Sequence, residues 1–300
     1  MRLLTYRPSG SERARIGLID RRGDGVVDVT SRTEVTDLAM LLGRFTEIER
    51  FGDADADHRL TDVTFERLLP WPRKIFCIGV NYGGRSAEYA DQSDASYPSV
   101  FLRYPDSLTG HGRPLVRPPE SPQLDYEGEI VAVIGLAGRR IPVADARAHI
   151  AGLTLGNEGT IRDWVRHAKF NVTQGKNWAG TGAIGPYLVT IDEIPPFDEM
   201  EISTFVNGDR RQHDSPASMK YSIEYQVHYL STFNELCPGD VIFTGTPTGA
   251  GARLDPPQWL VPGDVVEITA TGLGTLRNTV VDEFDDDELA ADPRRPPEQQ

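Results

Sequence analysis

The stretch Asp125-Tyr-Glu-Gly-Glu-Ile-Val-Ala-Val-Ile-Gly135 begins with acidic residues and continues as an unbroken apolar run. A run that rich in β-branched residues is typical of a buried β-strand. Glu127 and Glu129 lie two residues apart, so their side chains share one face of such a strand. Two carboxylates held that close repel each other unless a proton or a cation neutralises them. The stretch therefore predicts a strand that carries a pair of acidic ligands at its start.

A third acidic residue extends this pair. Glu158 follows Leu153-Thr-Leu-Gly-Asn157, which has the pattern of a strand end, and precedes a segment with a helical pattern. Three carboxylates without histidine or thiolate favour a hard divalent ion: Mg²⁺ first, Mn²⁺ as its alternative, with Ca²⁺ also compatible. Two other interpretations stay open. The Glu127 and Glu129 pair also fits the solvated face of an antiparallel sheet, and Glu158 also fits a cap of the following helix.

Composition limits the classes of function. The chain has 300 residues, is 39% hydrophobic and carries a formal net charge of −14, so it has enough apolar residues for a full core. An acidic chain without a basic stripe argues against nucleic acid and anionic membranes as partners. No apolar run approaches the roughly 18 to 20 residues that span a bilayer, and the first residues lack the apolar core of a signal peptide. We therefore expect a cytoplasmic protein.

Short β-runs alternate with Gly- and Pro-rich turns from residue 74 onward, and helical patterns occupy only 142–150, 160–168 and 219–236. In the last of these, apolar residues recur at spacings of three and four, which predicts packing against the core. Such a mixture predicts a β-rich α+β fold.

Seven short segments resemble, in order and spacing, those of the fumarylacetoacetate hydrolase family, and the resemblance covers about residues 74–281. The seven segments lie at 74–82, 125–135, 157–163, 175–178, 185–186, 206–208 and 238–249. The resemblance implies a mixed β-sandwich roll, usually paired as a homodimer. It also implies a divalent-metal-dependent enzyme.

Three regions are predicted along the chain. The first 70 residues contain short β-runs, a Gly-Asp-Gly hairpin connection and a short capped helix, which predict a small N-terminal α/β module. Pro70-Trp-Pro72 marks the boundary, because paired prolines resist continuation of helix or sheet. Residues 71–284 then form the catalytic domain that the resemblance implies. The acidic, Pro- and Arg-rich residues 285–300 form a tail that we expect to be disordered.

The resemblance assigns the metal ligands and two cations of the site. It makes Glu127, Glu129 and Glu158 the metal ligands, although the family more often has aspartate at the third position. It matches Lys176 with the family's active-site lysine, whose ammonium holds an enolate or carboxylate oxygen beside the metal. It places Arg162 near the substrate, on the helix predicted after Glu158. A solvent-exposed lysine and a surface ion pair of the arginine are the alternative interpretations.

The resemblance also assigns residues to the substrate pocket. Gly245-Thr-Pro-Thr-Gly249 follows a strand pattern and forms a turn whose backbone N–H groups and hydroxyl can meet a carboxylate, so Gly245 and Thr246 are predicted to bind substrate. Tyr82, at the end of the first matching segment, is placed with them. An ordinary turn at the end of a strand is the alternative for the Gly-Thr-Pro sequence.

Departures from the family pattern fall on a predicted lid at residues 83–97. The family's Asn-Tyr-x-x-His-x-x-Glu reads Asn81-Tyr-Gly-Gly-Arg-Ser-Ala-Glu88, so Arg85 replaces the histidine that pairs with glutamate to activate water. Glu88 keeps its predicted catalytic role without that partner. An arginine is always protonated and cannot act as a base, but its bidentate fork suits a second carboxylate of the substrate. Arg85 is therefore predicted to bind substrate and to favour a dicarboxylate.

These residues predict an enzyme that acts on a small 2-oxo acid, a diketo acid or its enol through a metal-bound enolate. That one intermediate serves hydrolysis of a C–C bond, decarboxylation and keto–enol isomerisation, and the reaction stays open among the three. The loss of the histidine favours the latter two, because neither requires activated water. A catalytically inactive protein of this fold that binds a metal or metabolite remains the alternative.

Truncation after residue 284 tests the predicted tail. Because Leu289 is the one large apolar residue of 285–300, the tail cannot anchor a core. We expect the truncated protein to keep the melting temperature and the oligomeric state of the full chain in calorimetry and gel filtration. A clear fall in either quantity would show that the tail docks on the folded protein.

Overall fold

The computed structural model describes residues 1–84, 96–167 and 171–284. Its strands are β1 (Arg2–Pro8), β2 (Arg15–Ile19), β3 (Gly25–Asp28), β4 (His58–Arg59), β5 (Val63–Phe65), β6 (Ile75–Gly79), β7 (Ser99–Leu102), β8 (Leu108–Thr109), β9 (Leu115–Arg117), β10 (Leu124–Asp125), β11 (Gly128–Ile134), β12 (Ile150–Asn157), β13 (Thr160–Ile161), β14 (Gly182–Thr190), β15 (Ile202–Val206), β16 (Asp209–Asp214), β17 (Val241–Phe243), β18 (Val265–Ala270) and β19 (Gly274–Asp282). The α-helices of the described residues are α1 (Val29–Thr33), α2 (Thr46–Glu49), α3 (Thr173–Lys176) and α4 (Ile223–Phe233).

The strand β11 lies in the interior of a 12-stranded sheet, between β12 and β17. All seven of its residues are buried. Its side chains alternate between two cores: Ile130, Ala132 and Ile134 belong to one cluster, and Val131 and Val133 belong to the other. Because each face of β11 contacts an apolar core, the strand needs the unbroken apolar run that its sequence has.

A second sheet of five strands, in the order β16-β15-β18-β19-β9, covers one face of the first sheet. Residues from both sheets, such as Ile130 and Leu153 from the large sheet and Ile268 and Leu276 from the small one, form one hydrophobic cluster. Two sheets packed face to face form a sandwich. The β-rich fold predicted from the sequence is thus confirmed.

Strands β1 to β5 extend the same large sheet, since β1 pairs with β14 in an antiparallel register. β2 and β3 form the predicted hairpin around Gly23 and Gly25. The short capped helix predicted within the first 70 residues is only a 3₁₀ turn, Leu38–Met40, which is capped by Asp37. A division of the chain at Pro70–Pro72 remains a proposal.

The three predicted helical segments adopt different structures. The predicted segment 219–236 contains α4, whose first turn is capped by the Ser222 hydroxyl. Residues Val143–His149 form a 3₁₀ helix within the predicted 142–150. The helix predicted over 160–168 is wrong for its described part: Thr160–Ile161 is β13, paired with β10, and only Trp164–Arg166 is a 3₁₀ turn. Ile161 is fully buried, and its pairing with Leu124 outweighs local helix preference.

Helices in the described part of the chain are all too short or too polar to cross a membrane. The predicted tail at 285–300, and residues 85–95 of the predicted lid, lie outside the described residues.

Leu153 on β12 tests the importance of the core between the sheets. Leu153→Ala should lower the free energy of unfolding by about 2–5 kcal/mol, because it leaves a cavity among fully buried side chains. Leu136→Ala, at a half-exposed position, is the matched control and should change it by no more than about 0.5 kcal/mol. Urea denaturation measures both, and equal losses would contradict this packing.

Candidate metal centre and active site

The pairing of β11 with β12 brings the three predicted ligands together. Glu127 directly precedes β11, Glu129 is its second residue, and Glu158 directly follows β12. The Glu158 N–H donates to the Glu127 carbonyl oxygen at 2.8 Å, and the Glu127 N–H donates to Asn157 Oδ1 at 3.0 Å. One carboxylate oxygen from each glutamate lies within 4.8 Å of the others, and all three side chains are buried. The interpretation of Glu127 and Glu129 as a solvated face is therefore wrong.

Burial makes this triad electrostatically costly. Burial raises the pKa of Glu129 well above its ordinary value, and the negative charges of Glu158 and Glu127 raise it further. The Gly245 N–H, 2.8 Å from Glu129 Oε2, opposes that rise. Within the described residues, Glu158 Oε1 is buried and accepts no hydrogen bond. A buried oxygen without a donor, beside two more carboxylates, fits a divalent cation bound by oxygen ligands.

Lys176, the last residue of α3, supplies a positive charge to the triad. Its ammonium contacts Glu127 Oε2 and donates to Glu158 Oε2 at 2.9 Å, and it lies 5.3 Å from the centre of the Phe101 ring. Burial lowers the pKa of Lys176, but the carboxylates of Glu127 and Glu158 more than offset burial, so the pKa is raised. Lys176 is a buried ammonium at the site, and its interpretation as a solvent-exposed lysine is wrong.

Arg162 directly follows β13, and its side chain contacts the same triad. It does not lie on the helix that the sequence predicts. Its Nε donates to Asp125 Oδ2 and its second terminal nitrogen donates to Glu127 Oε1, both at 2.7 Å. The side chain is 10% exposed, so this is no surface ion pair. Asp125 also accepts from the backbone N–H groups of Gly251 and Ala252. Sequence reasoning gave Asp125 no role, although the Asp-x-Glu-x-Glu alternation places it on the ligand face.

The predicted substrate loop lies beside the ligand strand. Gly245 donates its N–H to Glu129, and the Thr246 hydroxyl donates to the Gly128 carbonyl at 2.9 Å. The hydroxyl proton thus bonds to the protein's own backbone, whereas the sequence predicts that it meets a substrate carboxylate. Gly245 has φ of +106°, and a Cβ there would lie 2.7 Å from that of Asn81, so this close turn requires glycine.

Tyr82 is not among the described residues that line the pocket. Tyr82 is buried, and its hydroxyl has no hydrogen-bond partner among the described residues. Burial raises its pKa well above the ordinary value, with a further contribution from Glu129. Arg85 and Glu88 lie outside the described residues, so their predicted roles remain predictions.

A cavity of about 500 Å³ opens over the triad. Its polar wall holds the three glutamates, Arg162, Lys176 and Thr246. Most of the other lining residues are apolar or aromatic, among them Val80, Val100, Phe101, Leu102, Tyr104, Val165 and Val172, and the polar residues Ser99, Asn171 and Thr173 also line the cavity. No histidine is among the described residues that line this cavity. The His167 ring contacts the Trp164 ring in a tilted arrangement, with 4.3 Å between ring centres, and His213 bonds to the Ser203 hydroxyl.

Fold and site together define a class of enzyme: a β-sandwich roll in which buried carboxylates, suited to a divalent ion, contact a buried lysine at the wall of a small cavity. A family model described as fumarylacetoacetate (FAA) hydrolase, C-terminal, matches residues 74–281. The chain belongs to the fumarylacetoacetate hydrolase family.

Individual relatives agree with this assignment. Oxaloacetate tautomerase YisK of Bacillus subtilis is 39% identical over 228 residues, which span 74% of this chain and 75% of that protein. Mitochondrial oxaloacetate tautomerase Fahd2a of Rattus norvegicus is 31% identical over 293 residues, 94% of this chain and 92% of that protein. The structure of a fumarylacetoacetate hydrolase from Exiguobacterium antarcticum superposes with a TM-score of 0.80 at 32% identity, covering 94% of this chain and 100% of that one.

Glu129→Gln separates the two effects of the triad's charge. Removing one buried negative charge should raise the melting temperature of the metal-free protein, because the repulsion from Glu127 and Glu158 falls. The same change should abolish Mn²⁺ binding in isothermal titration calorimetry, because a ligand charge is lost. Glu201→Gln, at an exposed position, is the control and should alter neither measurement. Wild-type Mn²⁺ affinity in Glu129→Gln would disprove the proposed metal site.

Proposed function

We propose that the protein is a divalent-metal-dependent tautomerase that interconverts the keto and enol forms of oxaloacetate. Its family membership makes it an enzyme of small oxo acids, and the two relatives described above carry the name oxaloacetate tautomerase. The observation that carries the proposal is the Lys176 ammonium, held against the carboxylate triad in a cavity whose described wall contains no histidine. Such a site stabilises an enolate and offers no neutral base for water.

The side chains divide the work. A divalent ion at the triad would act as a Lewis acid and lower the energy of the enolate. Lys176 offers an ammonium proton to the developing enolate oxygen, in a buried position where the charge interaction is strong. Arg162 fixes Glu127 by its bond to Oε1, so the ligand is oriented before substrate binds. The apolar wall around Phe101 and Val165 limits access of water.

Hydrolysis is less well supported by this site. Cleavage of a C–C bond by water requires a base within hydrogen-bond distance of that water. In the described wall, the ionisable groups are the triad itself, the cations Arg162 and Lys176, and Tyr104, whose side chain is exposed. A cation cannot accept the proton, and the glutamates are the proposed ligands of the ion. Tautomerisation adds no water and needs no activated water. Lys176 can give an ammonium proton to the substrate oxygen, and the amine that results can accept the proton that leaves the substrate carbon, so the lysine is restored.

Three finer features belong to the same proposal: Mg²⁺ as the ion, a homodimer as the assembly and the cytoplasm as the compartment. Oxygen-only ligands support Mg²⁺. Free Cys77 and Cys237 support a reducing compartment. The family resemblance supports the homodimer, and light scattering should then give twice the chain mass of 33.2 kDa.

A substrate panel tests the reaction. Oxaloacetate, an acylpyruvate and a 2-hydroxydienoate are offered to EDTA-treated protein with and without added Mg²⁺. We expect Mg²⁺-dependent decay of the oxaloacetate enol in ultraviolet absorbance, with no matching release of pyruvate in proton NMR. Release of pyruvate at the rate of enol loss would identify a decarboxylase instead. No acceleration with any substrate would support the inactive, ligand-binding alternative.

Lys176→Met tests the role of the ammonium. Loss of its charge should cost about 2–4 kcal/mol of transition-state stabilisation, or roughly 30- to 900-fold in kcat. Mn²⁺ binding should survive, because Lys176 is no ligand, and calorimetry provides this internal control. An unchanged kcat with normal KM would remove Lys176 from the mechanism.

A further inference from the structure

Gln212 joins the small sheet to the candidate site. It lies on β16 and is 2% exposed. Its side-chain Nε2 donates to Thr246 Oγ1 at 2.9 Å and to the Pro247 carbonyl at 2.8 Å. Its Oε1 accepts from the Gly128 N–H at 2.9 Å. Both ends of the amide are thus bonded, which fixes its orientation, since only the nitrogen can donate and only the oxygen can accept.

These contacts close a ring. The Thr246 hydroxyl, which accepts from Gln212, donates in turn to the Gly128 carbonyl at 2.9 Å. Gly128 therefore has its N–H bonded to Gln212 and its carbonyl bonded to Thr246. Because Gly128 lies between Glu127 and Glu129, the ring holds the backbone that separates two predicted ligands.

Close packing keeps Gly128 against the small sheet. A Cβ at Gly128 would lie 2.0 Å from Thr204 Oγ1 and 3.2 Å from the Ile268 side chain, so no larger residue fits without displacement of β15 or β18. The backbone of β11 at Gly128 thus lies as close to the small sheet, which also carries Gln212, as a residue without a side chain allows. The amide of Gln212 spans the remaining distance to the loop at 245–247.

The loop that Gln212 anchors contacts both the ligands and the pocket. Gly245 donates to Glu129 Oε2 at 2.8 Å, and Thr246 lines the cavity over the triad. Movement of the loop away from β11 would break the hydrogen bond between Gly245 and Glu129 and would shift Thr246 in the cavity wall. The position of this pocket wall relative to the carboxylates therefore depends on the ring.

We propose that Gln212 is a positioning residue that sets the distance between the carboxylate ligands and the substrate-binding loop. It is not among the described residues that line the cavity, and it acts through Gly128 and Thr246. The inference rests on the proposed function where it concerns substrate and ion, and on the structure alone where it concerns the backbone.

The test replaces the amide by a side chain of similar size. Gln212→Leu should weaken Mn²⁺ binding about 10- to 100-fold in calorimetry, as loss of a partner behind a ligand typically does. It should raise KM for oxaloacetate while kcat at saturating metal and substrate stays within about threefold, because Lys176 is held separately by α3. The Gly128 amide should exchange faster with deuterium in the metal-free variant, since its acceptor is gone.

Asn278→Leu is the matched control. Asn278 is also a buried amide of the small sheet and donates to two backbone carbonyls, those of Gly110 and Arg113, away from the cavity. Its loss should lower the melting temperature as Gln212→Leu does, with Mn²⁺ affinity and KM unchanged. Equal shifts of affinity and KM in both variants, or wild-type values in Gln212→Leu, would overturn the positioning role.

A second pair of variants covers the case in which Gln212→Leu does not fold. Thr246→Val breaks the ring and Thr246→Ser keeps its hydroxyl, so only the former should weaken Mn²⁺ binding. Where Gln212→Leu does fold, adding Thr246→Val to it should weaken Mn²⁺ binding by less than Thr246→Val does alone, because both act on one ring. Additive effects of the two substitutions would show that Gln212 and Thr246 do not act through one hydrogen-bonded ring. Mn²⁺ affinity and amide exchange test this inference even if the protein proves inactive on oxaloacetate.

Discussion

The mutual repulsion of three buried glutamates is the constraint on which the rest of the site depends. Glu127, Glu129 and Glu158 are each nearly inaccessible to water, and each alone would resist ionisation there. The groups that contact them include positive charges and hydrogen-bond donors: the Lys176 ammonium, the Arg162 guanidinium, the Gly245 N–H and the Thr160 hydroxyl. These donors reduce the repulsion but leave Glu158 Oε1 without a donor among the described residues. A divalent ion at the proposed site would balance the negative charge that remains.

The sandwich holds this unfavourable cluster in place. Glu127 and Glu129 cannot turn to solvent, because β11 lies between two apolar cores and is paired on both edges. The pairing of β11 with β12 fixes Glu158 beside them, and the small sheet closes the back of the site. The stability of the fold thus holds the charges close together. In the proposed function, the affinity of the pocket for a cation and for an enolate would derive from that arrangement.

The sequence patterns predicted only those parts of this arrangement that depend on residues close together in the chain. The alternation of Glu127 and Glu129 in a strand, and the position of Glu158 after another, sufficed to predict the triad. The structure brings the Arg162 side chain to the triad, but Arg162 does not lie on the predicted helix, since its neighbour Ile161 pairs with a strand remote in sequence. Lys176 came from the family resemblance alone. Gln212 gave no signal, because its role depends on a contact across 84 residues between two sheets.

Anomalous diffraction from crystals grown with Mn²⁺ tests the central claim most directly. A divalent ion drawn by the buried triad should give one strong anomalous peak per chain, ligated by oxygens of Glu127, Glu129 and Glu158 at about 2.0–2.3 Å. The Lys176 ammonium should then have left at least one of the two carboxylates it contacts, because ammonium and ion compete for the same oxygens. Crystals in which Lys176 stays between the glutamates, and the manganese binds elsewhere or not at all, would contradict the account.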